Sequence, residues 1–176
     1  MISFYKSIGL YDSLTLRMEM DPSDFTEGLR KIIYKTNTTF LSLVPDNGIP
    51  TRFEYRGMIN QDDFKIKKRF HFFDSYAFHA LIKGKISKEN NKTLVTITFI
   101  PLFSHLFALL FIFIISILTS LDLIKENSNF LFAVLPFIVI ILLYFKLKRS
   151  LKKGKYDFER ELYFITRKNN QFKNIK

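Results

Sequence analysis

Hydrophobic and polar positions along this chain change period several times, and each change predicts an element. From Ser13 to Met20 they alternate, with Leu14, Leu16, Met18 and Met20 on one face and Thr15, Arg17 and Glu19 on the other. That is the period of a half-buried strand. Asp21-Pro22 then opens a helix, with Asp21 at the N-cap, Pro22 at the first helical position and Asp24 near the positive end of the dipole. Phe25, Leu29, Ile32 and Ile33 form its apolar stripe. Thr36–Val44 fits neither period, and Pro45-Asp46-Asn47-Gly48-Ile49-Pro50 is a loop.

Arg52–Ile100 predicts an antiparallel meander of four strands. Phe53, Tyr55, Gly57 and Ile59 share a face, and Asn60–Asp63 turns the chain. Phe64, Ile66, Phe70 and Phe72 follow on one face with Lys68 as the intruder, and a turn falls within Phe73–Tyr76. Phe78, Ala80, Ile82, Gly84 and Ile86 continue the pattern, Lys88–Asn91 makes a third turn, and Thr93–Ile100 runs on through Pro101. Strands with one apolar and one polar face call for an antiparallel sheet covered on one side.

The period then disappears into two apolar runs, Leu102–Leu121 and Phe130–Phe145, separated only by Asp122–Asn129. A bilayer core of about 30 Å takes a helix of about 20 residues, so the pair reads as a transmembrane hairpin whose flanking segments share one side. Beyond it, Tyr156–Lys168 fits a helix with Phe158, Leu162 and Ile165 on one stripe; a strand is the alternative, since Tyr156 and Phe158 also alternate. The Lys/Asn-rich tail after Arg167 is expected to fray. The fold class this predicts is an α+β membrane protein: a small antiparallel β-sheet domain packed by helices, with a two-helix transmembrane hairpin inserted before the C-terminal helix. Its parts are residues 1–100, a cytoplasmic domain; 101–146, the hairpin; and 147–176, a basic juxtamembrane segment and helix.

Charge sets the orientation. Residues 1–100 carry a net +4, residues 146–176 a net +8, and residues 101–145 a net −1. Lysine and arginine near membrane ends stay cytoplasmic. Lys146, Lys148, Arg149, Lys152, Lys153 and Lys155 sit directly after the second run, while the hairpin tip has only Lys125 beside Asp122 and Glu126. Both termini are therefore expected in the cytoplasm. Without cysteine there is no disulfide, thiolate zinc site or cysteine nucleophile. Met1–Tyr11 lacks the sustained apolar stretch of a secretory signal.

Within Phe53–Lys88, the Gly57…Phe64-x-Ile66 spacing, the Ser75-Tyr76 turn and Ile82-Lys83-Gly84-Lys85-Ile86 before the strand that enters the hairpin form a further pattern. In these the chain resembles a family of small, uncharacterised bacterial membrane proteins. The resemblance covers about 50 residues and the hairpin position. It implies a similar β-rich domain with two membrane helices and carries over no activity.

Candidate chemistry centres on a basic sheet face. Period-two geometry puts Lys65, Lys67, Arg69 and His71 opposite Phe64, Ile66 and Phe70, and puts His79, Lys83 and Lys85 opposite Phe78, Ile82 and Ile86. Pairing these strands makes one positive surface. With the cluster Lys146, Lys148, Arg149, Lys152 and Lys153 it would attract anionic membrane lipids, at about 1 kcal/mol per basic residue near the surface. The plainer reading of both groups is solvated lysines and a topology signal. No nucleic-acid motif accompanies these charges, so no nucleic-acid partner is expected. His71 and His79 on neighbouring strands fall short of the three or four ligands a metal needs. Asp62-Asp63 belongs to a turn, and adjacent turn residues point apart, which makes them a poor acid/base pair. His105, close to the cytoplasmic end of the first run, reads as interfacial. No nucleophile elbow, phosphate loop, metalloprotease or kinase motif is present, and no cofactor is expected. These features point to a non-enzymatic, membrane-anchored interaction or regulatory module that binds a protein partner or anionic lipid. An immunity protein neutralising a membrane-acting toxin and a lipid- or small-ligand-binding domain are the alternatives.

Overall fold

The computed structural model of the chain describes residues 2–38, 44–69, 80–89, 92–125 and 130–173. In chain order its elements are α1 (Ile2–Ser7), β1 (Asp12–Met18), α2 (Pro22–Ile32), β2 (Ile33–Lys35), a 3-10 turn (Asp46–Gly48), β3 (Tyr55–Ile59), β4 (Asp63–Lys68), β5 (Ala80–Glu89), β6 (Lys92–Pro101), α3 (Phe103–Lys125) and α4 (Phe130–Lys173). The strands form one α+β sheet in the order β1-β6-β5-β4-β3-β2, antiparallel except for β2 beside β3.

Alternation decides which face closes. Phe64 and Ile66 on β4, Ile82 and Ile86 on β5, and Val95, Ile97 and Phe99 on β6 all point to one side and are buried there. Phe25 and Leu29 of α2 and Phe158 and Leu162 of α4 cover them. Phe158, fully buried, sits at the centre, its ring 5.3 Å from that of Tyr55, 6.0 Å from Phe64 and 6.3 Å from Phe99. Two glycines permit this packing. Gly84 lies opposite Phe64, and a Cβ there would overlap the phenyl ring. A Cβ at Gly28 would come within 2.5 Å of Ile165, so α2 and α4 touch where no larger residue fits.

Several expectations are met. The meander pairs as predicted through β3, β4, β5 and β6, and the Asn60–Asp63 turn closes with a 2.8 Å bond from the Asn60 N–H to the Asp63 carbonyl. The Tyr156–Lys168 segment is helical, with Phe158 and Leu162 buried and Ile165 packed against them. The expected strand continuation over Phe70 and Phe72, the Phe73–Tyr76 turn and Phe78 lie outside the described residues.

Others are met in part or corrected. Of the expected pair of spanning helices, the described residues show one that is long and apolar enough to cross a membrane, over Phe103–Leu123. The second apolar run is the first part of α4, which continues unbroken through Lys146–Lys155 to Lys173. No proline interrupts the chain after Pro136, and the leucines, lysines and arginines that follow are strong helix formers. The basic segment is therefore a helical rod carrying the apolar run into the sheet core. Asp21 holds the N-cap position of α2 without a side-chain capping bond; its carboxylate takes Lys88 at 3.2 Å instead. Two elements were missed. α1 is too short to show a period, and β2 is a three-residue strand that gains its ladder only from β3.

Candidate functional site

The other face of the sheet carries the polar half of each alternation. In antiparallel pairs, directly opposed residues share a face with Cβ atoms about 5 Å apart, so the register converts sequence into rows. One row runs Met58, Lys65, Lys83, Thr98 and Ser13. The row on the side towards α3 runs Arg56, Lys67, Leu81 and Ile100, and the row beyond Lys65 runs Asp63, Lys85, Thr96 and Thr15. Successive rows stand about 7 Å apart, two residues at about 3.3 Å each. Lys65, Lys67, Lys83 and Lys85 are thus brought together as the alternation predicted, with Lys65 facing Lys83 directly.

Arg69 does not join them. It is 5% exposed, and its guanidinium donates to the carbonyls of Ile49, at 2.5 Å, and Pro50, at 3.2 Å. Arg56, 2% exposed, pairs with Asp46 and donates to the Asn37 carbonyl at 3.3 Å. These two arginines hold the Pro45–Pro50 loop across the end of the face, because a buried guanidinium must satisfy its donors. Lys67 is half-buried beneath this arrangement. Desolvation holds its ammonium below the ordinary lysine value, Asp46 pulls the other way, and Arg56 adds to the depression.

Four lysines elsewhere have long-range carboxylate partners: Lys92 with Glu19 at 2.8 Å, Lys88 with Asp21 at 3.2 Å, Lys68 with Asp157 at 2.8 Å and Lys155 with Asp12 at 2.9 Å. Lys92 holds the Glu19 carboxyl below the usual range through that hydrogen bond. Among the described residues no ion pair reaches Lys65 or Lys83.

The second basic group does not merge with the first. Leu147 and Leu151 pack with Ala80, so α4 approaches the sheet from its apolar side. Lys146, Arg149, Lys152 and Lys153 are exposed around this part of the rod and Lys148 is half-buried. They lie across the sheet from Lys65 and Lys83. His71 and His79 lie outside the described residues. His105 stands in the first turn of α3, half-buried, its backbone N–H bonded to the Leu102 carbonyl at 3.0 Å.

Two grooves border the sheet. One, about 500 Å³, opens where the polar face meets the start of α3, between Lys65 and Leu81 on one side and Leu102, Phe103, Ser104 and Phe107 on the other. The other, about 540 Å³, runs between edge strand β1 and α4, lined by Leu14, Leu16, Met18, Leu162 and Tyr163. Phe103 and Phe107 belong to the first apolar run and Lys65 to the sheet; the passage from β6 through Leu102 into α3 brings them to one groove. At the same end α1 packs Tyr5 against Leu81 and Ile100 and leaves Ile2 and Phe4 exposed. Burial raises the Tyr5 phenol above its ordinary value. The Tyr144 hydroxyl ties α4 to this corner with a 2.7 Å bond to the Ile8 carbonyl.

The geometry offers a positive, open sheet face with an apolar helix rising from one end of it. Comparison with known proteins finds no matching protein-family model, no matching curated protein and no matching solved structure.

Proposed function

We propose that this chain is a non-enzymatic, membrane-anchored module, held in a bacterial inner membrane by α3 and the apolar first part of α4 as a two-helix hairpin. Its sheet domain and both termini lie in the cytoplasm, where the domain binds an anionic lipid surface or a protein partner. One observation carries this reading: where apolar side chains stay exposed. Phe103, Phe107, Leu110, Phe111, Ile114 and Leu118 on α3, and Leu135, Ile138, Ile141, Leu142 and Phe145 on α4, all face outward. By contrast Phe64, Ile66, Ile82, Ile86, Val95, Ile97 and Phe99 of the sheet are buried in its core. A continuous exposed apolar surface of that extent calls for a bilayer or a partner, and the surplus of lysine and arginine outside the apolar stretch favours a bilayer with the domain on the cytoplasmic side.

The absence of native cysteine makes the test direct. Cysteines introduced at Ser3 and Asn174 should resist a membrane-impermeant thiol reagent in intact cells, while one at Asn127 labels. Labelling at Ser3 and Asn174 from outside overturns the orientation, and release of the full chain by alkaline carbonate overturns the anchor.

The β1 groove favours a protein partner for the same module. β1 is an edge strand, and an edge strand beside an apolar groove suits an extended peptide added to the sheet. Proline at Thr15, in the middle of the edge, should abolish capture of such a partner while leaving the membrane fraction unchanged.

A further inference from the structure

We infer that the groove between the polar sheet face and the start of α3 is a binding site for a single anionic phospholipid, phosphate towards Lys65 and Lys83 and one acyl chain along Phe103 and Phe107. The inference rests on the membrane-anchored reading above and names the ligand of that module.

Three independent features converge here. The first is an electrostatic conflict. Lys65 and Lys83 face each other across β4 and β5, a placement that destabilises a sheet when both residues carry the same charge. Among the described residues neither has a carboxylate partner, while Lys68, Lys88, Lys92 and Lys155 each do. A phosphate between two ammonium groups turns that repulsion into two charge-assisted contacts.

The second feature is the opposite wall. Phe103 is 69% and Phe107 60% exposed, and both line the groove. Phe107 continues down α3 as the exposed stripe Leu110, Phe111, Ile114 and Leu118, at the three- and four-residue spacing of one helix face. An acyl chain leaving the groove therefore stays on one apolar track into the bilayer. A free phosphate or a soluble acidic peptide would use the lysines and leave that wall bare.

The third is level. α3 starts two residues after the strand ends, so Ser104 stands where an apolar helix would enter the headgroup layer, and it lines the groove together with Lys65, Phe103 and Phe107. Lys67, one row nearer, is half-buried under the Pro45–Pro50 loop. Lys85 lies about 7 Å farther off by strand rise and is opposed by Asp63. That selects Lys65 and Lys83 from the larger basic set.

The test is native mass spectrometry of the full chain in detergent, titrated with dioleoylphosphatidylglycerol and, separately, dioleoylphosphatidylcholine. One phosphatidylglycerol should bind at least tenfold more tightly than phosphatidylcholine. Lys65→Gln with Lys83→Gln should lose that preference. Lys65→Arg with Lys83→Arg should keep it, which separates charge from folding. Phe107→Ala should weaken phosphatidylglycerol about fivefold, and glycerophosphoglycerol, the headgroup without chains, should not compete. Equal affinity for the two lipids, or an unchanged preference in the Gln pair, overturns the site. Alkaline extraction of the same chain reads out the anchor separately: a chain that stays in the membrane yet shows no lipid preference loses this site and keeps the anchored reading.

Discussion

From the side of α4 the sheet shows Phe64, Ile66, Ile82, Ile97 and Phe99, and from the other side the same strands show Lys65, Lys83, Lys85, Thr96 and Thr98. The backbone ladder is common to both faces, so the difference lies in what each side chain meets. On the first face the buried strand residues form one core with Phe25, Leu29, Phe158 and Leu162 of the helices, and removing one leaves a cavity. On the second, Leu81 and Ile100 pack with Tyr5 of α1, Lys65, Lys83 and Lys85 are exposed, and Arg56 and Arg69 make deeply buried polar contacts with the Pro45–Pro50 loop. Stability is therefore concentrated on one side, which leaves the other side free to carry charge without threatening the fold.

Phe158→Ala strikes the closed face at its centre. The lost ring contacts with Tyr55, Phe64 and Phe99 should cost about 3–5 kcal/mol. At about 2–4 °C per kcal/mol for a chain of this size, the thermal unfolding midpoint in mild detergent, followed by circular dichroism, should fall by about 6–20 °C. A drop of a degree or two would mean that α4 does not close the core.

Asp46→Ala tests the buried polar contact on the open face. It leaves the Arg56 guanidinium enclosed without its carboxylate, a one-sided break of about 3 kcal/mol, and protease cleavage should appear within the Pro45–Pro50 loop. An unchanged melting temperature and digestion pattern would place that loop's hold elsewhere.

Tyr55 sharpens the contrast through pH. Burial, and then the charges of Glu161, Asp157 and Glu54, push its phenol well above the ordinary value. Stability tied to the neutral phenol is thus complete below about pH 10, the unfolded value, and declines above it by about 1.4 kcal/mol per pH unit. Tyr55→Phe should flatten the decline measured between pH 9 and 11. Lys67, depressed by burial, works in the opposite sense, raising stability as pH climbs towards the lysine range, so the comparison is variant against parent at each pH. Parallel curves would show that the phenol is open to solvent.

The smallest effect belongs to the open face. Lys65→Gln with Lys83→Gln should change melting by no more than about 0.5 kcal/mol, in the stabilising direction, because the facing like charges are gone. A large loss would place these lysines in a structural role.

Much of this architecture was legible in the chain. Alternation over Phe64–Lys67 and Ile82–Ile86 told core from open face correctly, since period two admits only two assignments. The lysine patch followed from the same rule. Arg69 broke the extrapolation: alternation puts it on the polar face, yet a loop about 20 residues away in sequence folds over it and takes its donors. β2 left no trace at three residues, and neither groove was visible, because each needs walls from elements distant in sequence.

By itself the sequence determined what local periodicity, turn chemistry and charge can specify: four meander strands and their faces, the helix after Pro22, two apolar runs, and a cationic surplus outside them. These are short-range properties, set by residues two to four apart. Only tertiary structure decided that β1 pairs with β6 to become an edge, that the second apolar run and the basic segment are one helix, and that Lys65, facing Lys83 across the sheet, shares a groove with Phe103 and Phe107. Each of those depends on which distant surfaces bury one another, a choice made by total packing across the sheet and not by any single segment.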